Sequence, residues 1–162
     1  VSTQLPDKTA VVGALLAQVE DELAGMEAVA EATRDEATSA ETKSEGKYDT
    51  RATEASYLAR GQAWRILELR KLSAWLSTDT ATRQLTEPVV QAGALVGVTG
   101  ARTEIIYIAP IGGGKAVLGD ITVRAISPSS PLGRALVELE VGDGFEVDSP
   151  RGILEYEISA IG

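Results

Sequence analysis

Between Pro6 and Pro88 the chain contains no proline, and only four of its 16 glycines fall before residue 79. Proline breaks a helix interior and glycine weakens it, so nothing in this stretch forbids long helices. The other 12 glycines and four further prolines follow Pro88, in the pattern of strands and turns. A boundary near residue 79 therefore divides the 162 residues into a helical part, 1–78, and a sheet-rich part, 79–162.

Within the first part Val12, Leu16, Val19, Leu23, Met26 and Ala30 recur at spacings of four and three. A second run from Ala55, Ala59, Gln62, Ile66, Leu69 and Ser73 to Leu76 repeats the alternation, widened by Leu58, Leu72 and Trp75. A 3.5-residue period is a coiled-coil seam. The polar stretch 38–50 lies between the runs, so residues 7–77 are expected to fold back as a long antiparallel α-helical hairpin with an acidic tip. Near that tip the seam is mostly Ala, Thr and Gln and has little to bury.

In the second part Ile105–Ile108 and Ile121–Ile126 have the β-branched density of strands, and 145–148 and 154–158 alternate apolar with polar residues. Ser149-Pro150-Arg151-Gly152 joins the last two as a type I turn. Ser130 and Pro131 read as an N-cap and first helical residue of a short helix through Leu139. The expected class is α+β, with a small antiparallel sheet and one helix on a face.

The chain has no cysteine and no histidine, which removes thiol nucleophiles, Ser–His–Asp triads and His- or Cys-ligated metals. A net charge of −9 makes it a poor binder of free nucleic acid. Gly112-Gly113-Gly114-Lys115 fails the phosphate-loop pattern, with Ala109 and Ala116 at positions that need Gly and Ser or Thr, and reads instead as a hairpin loop between strands. No apolar run is long enough for a membrane span and no leader precedes the helices, so a cytoplasmic protein is expected. Trp64 and Trp75, with no basic stripe around them, read as packing residues.

At the tip, Glu41, Glu45, Asp49 and Glu54 stand among Lys43, Lys47 and Arg51. Carboxylates there are able to hold a Mg²⁺ whose remaining ligands come from waters and a partner. Equally, Asp49 is a suitable cap for the second helix and Glu54 suits its positive end.

Ser130-Pro131-Leu132-Gly133-Arg134-Ala135-Leu136, then Val141-Gly142-Asp143 and Phe145 to Gly152, resembles the C-terminal domain of the bacterial GreA/GreB transcript cleavage factors. The match is close over 126–160 and looser over the whole chain. The resemblance implies an FKBP-like fold for residues 79–162 and a coiled coil, 1–78, that enters the secondary channel of RNA polymerase. It implies docking through Ser129, Ser130 and Pro131, with Ser129 where the family has Asp or Asn. It further implies that Asp49 and Glu54 are the catalytic and metal-holding pair, that Lys43, Lys47 and Arg51 lie near the RNA, and that the Mg²⁺ is shared with the polymerase active site. The chain would then be no enzyme and carry no cofactor of its own, a monomer that helps polymerase cut backtracked RNA at its 3′ end.

The family's second helix reads D-L-x-E-N-A-E-Y. Here Tyr48-Asp49-Thr50-Arg51-Ala52-Thr53-Glu54-Ala55-Ser56-Tyr57 separates the two acids by five residues instead of three. At 100° per residue, that spacing converges on one metal only if Asp49 precedes the helix. A channel-binding regulator without cleavage support is thus the alternative function. Prolyl isomerase activity, suggested by the fold type alone, lacks the aromatic walls of a proline pocket, since 79–162 contain just Tyr107, Phe145 and Tyr156.

Overall fold

The computed structural model describes residues 3–41 and 50–162, with the side chains of 3–36 and 53–162. Two helices, α1 (Lys8–Glu41) and α2 (Thr50–Leu76), pack against each other as a hairpin. A short helix α3 (Asp79–Thr82) leads into β1 (Leu95–Gly100), β2 (Glu104–Ile108), β3 (Lys115–Leu118) and β4 (Ile121–Ile126). Helix α4 (Pro131–Leu136), β5 (Gly144–Ser149) and β6 (Gly152–Ile161) complete the chain.

Asp7 opens α1: its carboxylate accepts from the Ala10 amide at 3.0 Å, and its carbonyl accepts from Val11. The base of the hairpin is well buried and its far half is not. Val12, Val19, Leu69 and Leu76 are buried on the expected seams, and Val11, Leu15 and Leu72 are buried beside them. Further out, the small seam residues Ala55 and Ala59 are exposed, and so is Leu58 beside them. The additional buried positions arise because each helix at the base covers both its partner and the sheet. One continuous core contains Val11, Leu15, Leu69 and Leu72 together with Tyr107 and Val123.

The sheet has six strands in the order β3-β4-β2-β1-β6-β5. It is mixed and not wholly antiparallel, because β2 and β4 run parallel, with Ile105 beside Val123 and Ile108 beside Ile126. This also corrects the reading of 112–114 as a hairpin loop. Strand β3 pairs with β4 and not with β2, so the glycine-rich segment carries the chain past the place where β4 inserts. The C-terminal hairpin is as expected, with Ser149 opposite Gly152, and Phe145 stacked on Tyr156 at a centroid distance of 5.4 Å. Val90, Val96, Ile106, Leu136 and Ile158 form a second core on the opposite sheet face, under α4.

Helix α4 ends at Leu136, three residues earlier than the sequence pattern suggests. Glu138 takes a positive φ of 70°, and the Glu138 amide and Leu139 carbonyl bond to Val90 at 2.8 and 2.9 Å. A bridge between Val89 and Glu140 follows, and this strand-like pairing stops the helix.

Trp75 behaves as a packing residue. Its indole N–H donates to the Tyr107 hydroxyl at 3.3 Å, and that hydroxyl donates to the Ala81 carbonyl at 2.7 Å. Trp64 does not: it is 65% exposed. Leu72→Ala is expected to cost about 2–5 kcal/mol in urea unfolding, because Leu72 is fully buried where hairpin and sheet meet. Burial pushes the Tyr107 phenol above its ordinary range. The folded state therefore holds the proton more tightly than the unfolded state, so stability falls as pH rises above about 10. That alkaline loss is expected to shrink in Tyr107→Phe, measured by urea midpoints across pH.

Candidate functional site

Of the residues singled out at the tip, Lys43, Glu45, Lys47 and Asp49 lie outside the described residues, as do the side chains of Glu41 and Arg51. Glu54 lies in the first two turns of α2 and is exposed, without an ion-pair partner among the described residues. Among the described residues no group of three or more carboxylates is arranged to hold a metal ion.

The Ser129–Pro131 element is fully described, and its shape follows from local chemistry. Ser130 is the N-cap of α4: its hydroxyl accepts from the Gly133 amide at 3.0 Å and donates to the Ser127 carbonyl at 2.8 Å. Pro131 fills the first helical turn, where a missing N–H costs nothing. Ser129 bonds through its hydroxyl to that of Ser127 at 2.9 Å. Ser129 and Pro131 face solvent while Ser130 is half-buried, so two of the three present surface and the middle one holds the turn. Gly133 lets the turn close, since a Cβ there would sit 1.9 Å from the Ser127 carbonyl oxygen.

This turn forms one wall of an open cleft of about 550 Å³. Its lining also includes the segment Pro110–Gly113, Ala125 and Ile126 of β4, and Glu68 of α2. The cleft thus spans the sheet and the hairpin. Arg124 at its edge is tied to Glu104 of the neighbouring strand.

The residues that fix this geometry were not singled out in the sequence. Arg65 donates to the Gly113 carbonyl at 3.1 Å and to Glu22 of α1 at 3.1 and 3.3 Å. It thereby joins both helices to the glycine segment, with Glu68 3.7 Å away on its other side. Gln18 accepts from the Lys115 amide at 3.1 Å and so occupies the end of the β3 edge. Gly113 has a φ of 110°, and a Cβ there would lie 2.6 Å from the Arg65 guanidinium. At Gly114 a Cβ would press on Val19 and Leu72 at 3.3 and 3.4 Å. The three glycines are the place where the sheet sits down on the helices. The signal was the run itself, which is longer than a simple turn needs.

Ser130→Ala is expected to cost about 1 kcal/mol of stability through the lost cap. Gly133→Ala is expected to cost more and to disorder the turn. Urea unfolding with amide exchange at residues 128–134 checks both; equal, small effects would refute the geometry.

Residues 117–162 match the family model described as "Transcription elongation factor, GreA/GreB, C-term". The chain is 37% identical over 107 residues to the transcription elongation factor GreA of Mesorhizobium japonicum, covering 66% of this chain and 64% of that protein. It is 36% identical over 94 residues to GreA of Rhizobium etli (strain CIAT 652), covering 58% of each. The chain thus spans about three fifths of the length of the curated relatives it matches. Among solved structures it is similar to the GreA factor homolog 1 (Gfh1) protein of Thermus thermophilus, with 18% identity, a TM-score of 0.37, and coverage of 91% of this chain and 94% of that one. A GreA/GreB C-terminal domain over 117–162, with GreA-like sequence extending beyond it, places this part of the chain in the GreA/GreB family of transcription elongation factors.

Proposed function

We propose that this chain is a cytoplasmic accessory factor of RNA polymerase that stimulates cleavage of backtracked nascent RNA and is not itself an enzyme. Residues 1–78 act as the probe that enters the secondary channel, and residues 79–162 as the unit that docks through Ser129, Ser130 and Pro131 at the channel rim. The observation that carries this reading is the pairing of a GreA/GreB C-terminal domain with a hairpin that leaves its described distal residues on α2, Thr53 to Gly61, exposed. With 34 and 27 residues in its helices, that hairpin is about 40–50 Å long, and every described residue from Thr53 to Gly61 is exposed. A slim probe must carry no packing partner along its far half.

At the tip Asp49 and Glu54 supply the carboxylates that share the polymerase's Mg²⁺ and orient its water, while Lys43, Lys47 and Arg51 lie near the RNA 3′ end. The polymerase supplies the cleavage chemistry, and the tip adds charge and ligands at its metal.

A second reading is a channel-binding regulator that does not stimulate cleavage. The five-residue separation of Asp49 and Glu54, in place of the family's three, favours it: were the helix to continue through Asp49, the two side chains would stand about 140° apart and would not converge on one ion.

The deciding experiment is cleavage by a stalled, backtracked elongation complex with and without the protein. Release of short 3′ fragments is expected to accelerate, and the gain is expected to fall at least about tenfold in the Asp49→Asn, Glu54→Gln double variant. A fully active double variant would refute the assigned roles. Binding to polymerase without acceleration would establish the regulator instead.

A further inference from the structure

The inner faces of the two helices are satisfied by each other and by the sheet, but the outer face of α2 has no partner in the chain. Arg60, Trp64, Leu67 and Lys71 follow one another at spacings of four, three and four, a second seam on the side away from α1. Tyr57 extends it toward the tip, with the Arg60 guanidinium 5.6 Å from the centre of its ring. Tyr57, Trp64 and Leu67 are 66%, 65% and 43% exposed, which makes this a bulky apolar face edged with positive charge.

The outer face of α1 is its complement. Asp21, Ala24, Ala28 and Glu31 recur at spacings of three, four and three on the side away from α2, and all four are exposed. Two methyl-sized residues are bracketed by two acids, just as Trp64 and Leu67 are bracketed by two bases. Among the described residues Asp21, Glu31 and Lys71 have no ion-pair partner.

The register decides the occupant. Inside the hairpin, Glu22–Arg65 and Glu27–Arg70 slant in opposite senses, so the level line runs between them and sets Ala24 beside Leu67. Val19 and Leu72, which together flank Gly114, lie on the same progression. A second hairpin laid alongside at the same height therefore brings Asp21 level with Lys71, Ala24 with Leu67, Ala28 with Trp64 and Glu31 with Arg60. Large side chains meet small ones and bases meet acids at all four levels, with no axial shift.

We propose that the outer face of α2 docks on the outer face of α1 of a second copy of this chain, giving a reversible, concentration-dependent association in place of a strict monomer. The contact is heterologous, since two different faces meet, so it adds copies side by side unless the arrangement closes. It does not rest on the polymerase reading above, and the two states exclude one another in time, because a hairpin inside a channel has no second copy on its flank. General repulsion between chains of net charge −9 opposes it, so the association depends on the local charge match.

The test is sedimentation velocity of the full chain from micromolar to near-millimolar concentration. The weight-average sedimentation coefficient is expected to rise with concentration, and Trp64→Ala to weaken the association about tenfold or more. Arg60→Glu/Lys71→Glu and Asp21→Lys/Glu31→Lys should each be monomeric alone, because each sets like charge against like, and their mixture should associate again. All these positions are on the surface, so circular dichroism is expected to show unchanged helix content. A wild type that stays monomeric throughout overturns the proposal. So does an association indifferent to Trp64→Ala, or a mixture of the two reversed variants that fails to associate; either result would assign the exposed face to some other partner.

Discussion

Everything distal in this molecule depends on the patch where the base of the hairpin lies against the sheet. A two-helix hairpin alone has only a thin seam to bury, too little to hold helices of 34 and 27 residues in one direction. Here Val11, Leu15 and Val19 from one helix and Leu69, Leu72 and Leu76 from the other share a core with Ile105, Tyr107 and Val123. Each such side chain contributes about 1.5–3 kcal/mol on burial. Apolar packing sets the strength of this junction but not its angle. Arg65 and the glycines set the angle, because a guanidinium shared among Glu22, Glu68 and the Gly113 carbonyl permits only a narrow range of positions for the segment 112–114.

That arrangement couples the two surfaces on which the functional reading rests. Glu68 is part of α2, is held near Arg65, and lines the same cleft as Ser129, Ser130 and Pro131. Under the docking proposed at Ser129–Pro131, a partner seated there would meet the hairpin as well as the sheet, and the direction in which the hairpin projects would be fixed with respect to that seat. Stability is concentrated at the base, while the far half contributes reach.

The hairpin and its seams were legible because heptad spacing is a local property that survives without tertiary information: Val12, Val19, Leu69 and Leu76 needed nothing but their neighbours in sequence. The Ser130-Pro131 cap and the 149–152 turn were legible for the same reason. What sequence could not reveal depended on distant partners. The parallel β2–β4 pair requires knowing that β4 inserts between β2 and β3. The early end of α4 requires Val90, some fifty residues earlier. Trp64 was read as packing because tryptophan usually is, and only the absence of anything across from it in the fold reverses that. At the candidate site, Ser129–Pro131 could be recognised from short-range pattern, whereas Arg65 and Gly114 are ordinary residues until a helix and a loop are brought together.

Charge explains why the helices pair as they do. Helix α1 carries eight acids against two bases, and α2 carries five bases against two acids, so the chain's excess of negative charge is divided unevenly along the hairpin. Any pairing of like helices sets like charge on like and is disfavoured for that reason. The antiparallel pairing within one chain uses the opposite signs at Glu22–Arg65 and Glu27–Arg70. These pairs are partly exposed, and each contributes at most about 1 kcal/mol, so they choose the register more than they hold the fold. The same division of sign is carried by the outer faces, with Asp21 and Glu31 on α1 and Arg60 and Lys71 on α2. The complementarity proposed for those faces therefore follows from acids being gathered on one helix and bases on the other, and it is independent of the two pairs that set the inner register.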